Sequence, residues 1–89
     1  IQVKEVKFRP KIDTHDYEFK KKHAVRFLKG ANKVKATVMF RGREVTHPEI
    51  GFEILTRLKD DLVELATVER EAKLEGYTMT MILTPKKEQ

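Results

Sequence analysis

KVKATVMF, residues 33–40, is the run from which the architecture unfolds. Val34, Ala36, Val38 and Phe40 alternate with Lys33, Lys35, Thr37 and Met39, the period of a strand with one face on a core and the other toward water. Upstream, residues 13–29 read as a helix, with Asp13 as N-cap, Asp16 three residues on, and Gly30 as a left-handed terminator. At about 100° per residue, Tyr17, Ala24, Val25 and Leu28 share one face, which is expected to be core. Lys22, Arg26 and Lys29 fall on the other side, with Phe19 among them. Before the helix, Val6 and Phe8 alternate with Glu5, Lys7 and Arg9 in a second strand that stops at Pro10. Ile1 and Val3 have the opposite parity, so this strand is expected to begin at about Lys4, leaving 1–3 as a linker remnant or bulge.

Downstream, Arg41-Gly42-Arg43 reads as a turn in which glycine permits φ > 0. Thr46 and Glu49 form a T-x-x-E capping box, with Pro48 accommodated in the first helical turn. The helix that follows carries Ile54, Leu55, Leu58, Leu62 and Leu65 on one stripe, with Glu53 and Asp60 opposite and Arg57 at the edge. Residues 66–74 and 77–84 read as two strands around Glu75-Gly76, a hairpin signal, and 85–89 as a solvated tail. The order is β-α-β-α-β-β. Strand, helix, strand favours a right-handed parallel crossover, and the final pair an antiparallel addition. The expected fold is α/β in the broad sense, an α+β two-layer sandwich: a four-stranded mixed sheet with two helices on one face and the other face open.

At 89 residues, 39% of them hydrophobic, the chain suffices for one core. It contains no cysteine and no serine, which removes disulfides, zinc–thiolate sites and two kinds of nucleophile. No apolar run nears the roughly 20 residues a membrane-spanning helix requires. The expectation is a soluble cytoplasmic domain that touches no membrane.

Charge is distributed unevenly. Residues 1–43 hold 13 Lys/Arg against 4 Asp/Glu, a net of +9, while residues 44–89 hold 6 against 10, a net of −4. Such asymmetry points one surface toward a polyanion. Catalysis finds little support. Asp60, Asp61 and Glu64 lie on the polar side of an amphipathic helix, and His15, His23 and His47 lack ligand spacing. The glycines are isolated, with no phosphate loop. No enzyme activity, metal or cofactor is expected. Lys22, Arg26 and Lys29 form the best binding stripe, with Arg9 at a strand end and Arg41 and Arg43 flanking a glycine. An arginine fork can bond a phosphate bidentately and stack on a base. Two alternatives stay open: Phe19 either stacks on a base or wraps onto neighbouring structure, and Glu44 either compensates one of the loop arginines or leaves both for an anion.

The segments IQVKEVKFRP, HDYEFKKKHAVRFLKG, KVKATVMFRGREVTHPEIG and MTMILTPKK resemble the C-terminal domain of bacterial translation initiation factor three, over essentially all 89 residues. The resemblance implies the same β-α-β-α-β-β fold, and makes 1–89 a single ribosome-binding domain whose residues 1–3 end an interdomain linker. It further implies a monomer that binds the platform of the small (30S) ribosomal subunit through ribosomal RNA, near initiator tRNA and ribosomal proteins. There it blocks premature joining of the large subunit and supports start-codon and initiator-tRNA selection, with no reaction catalysed. The family's important arginines match Arg9, Arg26 and Arg57. Lys22 stands where relatives often carry arginine, keeping the charge but losing the fork. Tyr77 follows Glu75-Gly76 where relatives commonly have another arginine. Lys33, Lys35 and Arg41 are added from the charge pattern alone. Two other classes compete: a general RNA- or DNA-binding module on a similar scaffold, and a fragment of a metabolic enzyme.

Overall fold

The computed structural model describes residues 2–86. Its elements are β1 (Val3–Phe8), α1 (Thr14–Lys29), β2 (Lys33–Met39), a 3-10 helix (Gly42–Thr46), α2 (Pro48–Asp61), β3 (Ala66–Glu75) and β4 (Thr78–Pro85). The four strands form one sheet in the order β1-β2-β4-β3. β1 and β2 are parallel, with Val6 opposite Ala36, and the β2–β4 and β3–β4 pairs are antiparallel. Both helices lie on the same face, as the sequence pattern predicts.

Parity fixes which side chains meet the helices, because a one-residue slip would turn every one of them over. Val6 and Phe8, Val34, Ala36 and Val38, and Met79, Met81 and Leu83 bury under Tyr17, Ala24 and Leu28 of α1 and Leu55 and Leu58 of α2, with Leu62 just past its end. Val25, Ile54 and Leu65, expected in the core, are half-buried at its margin. The opposite face carries Lys33, Lys35, Met39, Thr78, Thr80 and Ile82, and among the described residues no helix covers it. β3 is an edge strand rich in charge, and two register shifts, at Val68/Arg70 and Arg70/Lys73, interrupt its pairing with β4. Bulges and charges of this kind protect an edge from pairing with another chain.

Several local expectations are corrected. β1 begins at Val3, which pairs with Lys33, rather than at Lys4. Pro85 belongs to β4, and the Lys86 N–H donates to the Leu65 carbonyl at 2.9 Å, so the described part of the expected tail is tied to the sheet. Residues 87–89, and Ile1, lie outside the described residues. α1 opens as predicted, with Asp13 Oδ1 accepting from the Asp16 N–H at 2.8 Å. Its end differs: Gly30 has φ −85°, and the left-handed residue is Ala31 at φ 64°. The N–H groups of Ala31 and Asn32 donate to the carbonyls of Leu28 and Phe27, both at 3.0 Å, a Schellman closure centred one residue later than expected.

The Thr46–Glu49 box does not form. Pro48 disfavours helical geometry in the residue before it, and His47 accordingly sits at φ −125°, ψ 62° as the cap of α2. Thr46 instead ends the 3-10 helix, its hydroxyl donating to the Arg43 carbonyl at 2.8 Å. That 3-10 helix also replaces the expected glycine turn, and Gly42 needs no positive φ there. Gly76, at φ 63°, does: with Tyr77 it makes the two-residue loop between β3 and β4, the type with glycine first.

Candidate nucleic-acid interface

The outward face of α1 is built by helical spacing. Phe19 and Arg26 are seven residues apart, within about 20° of each other around the axis, with Lys22 and His23 to either side. All lie opposite the buried line of Tyr17, Ala24 and Leu28. Phe19 is 56% exposed. Its ring centroid is 4.6 Å from that of His23, tilted by 56°, and His23 in turn lies 6.4 Å from Phe27. Lys22, Arg26 and Lys29 take part in no ion pair among the described residues.

The one acid that spacing brings within reach of Lys22 is used elsewhere. Glu18, which spacing allows to reach Lys22, instead pairs with Lys21 at 3.0 Å and lies 3.8 Å from Arg57. Lys21 also lies 3.6 Å from Asp61, and the Tyr17 hydroxyl donates to Asp61 at 2.7 Å. The Arg57 guanidinium sits 4.0 Å above the Tyr17 ring. These groups make a polar seam joining α1 to α2. Burial, reinforced by the bond to Asp61, pushes the Tyr17 phenol well above its ordinary 10.0. That same hydrogen bond, with help from the Lys21 charge and against partial burial, holds the Asp61 carboxyl below its ordinary 3.8. The hydrogen bond to Glu18 raises Lys21.

The other predicted residues do not join the α1 stripe. Arg57, on α2, belongs to the seam. Arg9, Arg41, Arg43 and Tyr77 gather at the end of the sheet where β1 and β2 finish, with the Phe40 N–H bonded to the Tyr77 carbonyl at 2.8 Å. Tyr77 is 60% exposed at the hairpin tip. Glu44 settles the loop alternative in an unexpected way. Its carboxylate accepts from the Arg41 backbone N–H at 2.7 Å and pairs with neither loop guanidinium. Arg43 lines a groove of about 470 Å³ with Glu44, His47 and Lys11, the last a cation absent from the sequence-based candidates. Lys33 and Lys35 project from the open sheet face. Lys33 is matched by Glu69 at 2.7 Å, whereas Lys35 borders a groove of about 440 Å³ of mixed charge, with Arg70, Glu71, Lys73 and Glu75. Phe27 was also missed, although its spacing from Phe19 and His23, four residues at each step, is visible in the sequence.

Among the described residues no group of three His, Asp or Glu could hold a metal ion, and no helix is long and apolar enough to cross a membrane. Residues 1–86 match the family described as "Translation initiation factor IF-3, C-terminal domain". The chain belongs to that family. It is 55% identical over 86 residues to a protein of Brucella anthropi named translation initiation factor IF-3, an alignment covering 97% of this chain and 48% of that protein. It is 57% identical over 83 residues to the protein of that name from Mycobacterium leprae, covering 93% of this chain and 41% of the relative. The chain thus spans about half the length of the curated IF-3 relatives it matches.

Proposed function

We propose that this IF-3 C-terminal domain binds the small (30S) ribosomal subunit through ribosomal RNA, prevents its association with the large subunit, and supports start-codon and initiator-tRNA selection. The observation carrying this reading is the cationic stripe of Lys22, Arg26 and Lys29 on the outward face of α1, whose neighbour Glu18 is drawn into the seam with α2. Lys22, Arg26 and Lys29 stand ready for phosphates without disturbing the core, and Arg9, Arg41 and Arg43 offer a second cationic patch at the end of the sheet. Each neutralised phosphate releases counterions, so affinity falls as salt rises. A body 44 × 26 × 19 Å seated on RNA at the subunit contact would exclude the large subunit by occupying space. No catalytic step is needed. The domain acts as a cytoplasmic monomer, with initiator tRNA and adjacent ribosomal proteins as neighbours.

The spread of cations over α1, the sheet end and the open sheet face favours a second reading, a general RNA-binding module. Titration of the labelled domain with purified small and large subunits, across a salt series, separates the two. The expected outcome is preference for small subunits, and a logarithmic salt slope shallower by about one unit in Arg26→Ala. Equal affinity for both subunits would favour the general binder. An Arg26→Ala protein with unchanged affinity and slope would remove Arg26 from the interface.

A further inference from the structure

Resting on the proposal that α1 faces RNA, we infer that Phe19 and His23 form a platform for one unpaired nucleobase of single-stranded RNA. Phe19 is an exposed phenylalanine whose ring contact is with His23 of its own helix. Phe19 keeps more than half of its surface open to solvent, and the face it occupies points away from the core. His23, one turn further along, packs its ring against that of Phe19 at a centroid distance of 4.6 Å and a 56° tilt. The two rings thus pack together while more than half of Phe19 stays open to a flat ligand. Phe27 supports His23 from the following turn, at 6.4 Å.

The flanking charges select the occupant. Lys22 and Arg26 border the pair, and neither has a carboxylate partner among the described residues. An apolar protein segment gains nothing from two unmatched cations, whereas a nucleic-acid strand offers a π-face for the ring and successive backbone phosphates for the cations. A base held inside a duplex hides its face in the stack, so the ligand must be unpaired.

The test uses a short single-stranded RNA carrying one 2-aminopurine, the same RNA annealed to its complement, and four proteins: the native sequence, Phe19→Leu, Phe19→Trp and Arg26→Ala. Phe19→Leu keeps an apolar side chain in an exposed position and removes only the aromatic face. On the single strand, the native protein should quench 2-aminopurine. Phe19→Leu should lose the quenching and about tenfold in affinity, and Phe19→Trp should retain both. On the duplex, Phe19→Leu should bind as the native protein does, while Arg26→Ala weakens binding to both forms and flattens the salt slope. Equal loss on single strand and duplex in Phe19→Leu, or full affinity without quenching, would overturn the platform. If Arg26→Ala retains its charge dependence while Phe19→Leu shows the predicted loss, the phosphate-binding role of α1 fails and the platform stands. A native protein that binds neither RNA overturns both.

Discussion

A single methyl group at position 51 probes how closely α2 lies on the sheet. A Cβ built on Gly51 would come 2.7 Å from Phe40 Cζ, 3.3 Å from Phe40 Cε2 and 3.1 Å from Met79 Sδ. Helix propensity alone makes Gly51→Ala stabilising by about 1 kcal/mol. Opposing it is overpacking, which costs about 1–3 kcal/mol in a filled core. The upper part of that range applies here. Phe40 is 5% exposed and Met79 is fully buried, so the ring has little room to swing. Lifting α2 instead would pull Leu55 and Leu58, both fully buried, out of the core. The net expectation is a loss of about 1 kcal/mol, a fall in Tm of about 4–8 °C for a domain of this size. Thermal and urea melts followed by far-ultraviolet circular dichroism measure it. In a Phe40→Leu background the obstructing ring tip is gone, so the same Gly51→Ala change should become neutral or stabilising, a coupling of about 1–2 kcal/mol. A Gly51→Ala protein that melts above the native one, or strict additivity with Phe40→Leu, would refute the close approach.

The seam makes stability depend on pH at both extremes. Asp61 has a lowered carboxyl pKa in the fold, so its contribution is complete above the ordinary 3.8 and is lost as pH falls through the lower folded value. Tyr17 is raised, so its contribution is complete below 10.0 and declines as pH rises above it. Tyr17→Phe should therefore flatten the alkaline fall in Tm and shrink the acid one, and a Tm profile parallel to the native curve would count against the hydrogen bond. Ala31→Gly relieves a left-handed alanine at the cost of a more flexible unfolded chain, for a net gain of about 0.5–1 kcal/mol by urea melt; a destabilised variant would place the strain elsewhere. Arg57→Ala removes the guanidinium from the Tyr17 ring and should lower stability by about 0.5–1 kcal/mol, while Arg26→Ala leaves Tm unchanged; the reverse order would exchange their roles.

The parts of the fold legible from sequence are those where periodicity and burial agree. The alternation in 33–40 and the Tyr17, Ala24, Leu28 line each give a face directly, because a side chain's direction follows from its position in a regular element. Motifs that compete locally are harder. Thr46 and Glu49 have the residue types of a capping box, but Pro48 biases His47 out of helical geometry and Glu44 caps the turn before it. Gly30 carries the composition of a left-handed terminator, yet the closure falls on Ala31, since the hydrogen-bonding pattern chooses the residue. Gly51 reads as punctuation until the sheet beneath it is known. The candidate interface divides in the same way. The α1 stripe is visible as spacing, whereas the approach of Arg57 to Glu18, which helps to leave Lys22 unmatched, depends on how two helices pack. Spacing places Arg57 at the edge of the α2 stripe, and only the packing of the two helices puts it over the Tyr17 ring.

The central claim concerns a particular particle, and sedimentation tests it most directly. The purified domain is mixed with isolated small subunits, isolated large subunits and intact ribosomes over a range of salt concentrations. The account predicts pelleting with small subunits alone, together with a shift of intact ribosomes toward separated subunits. Equal pelleting with every RNA-bearing particle, vanishing as salt rises and leaving intact ribosomes undisturbed, would contradict it.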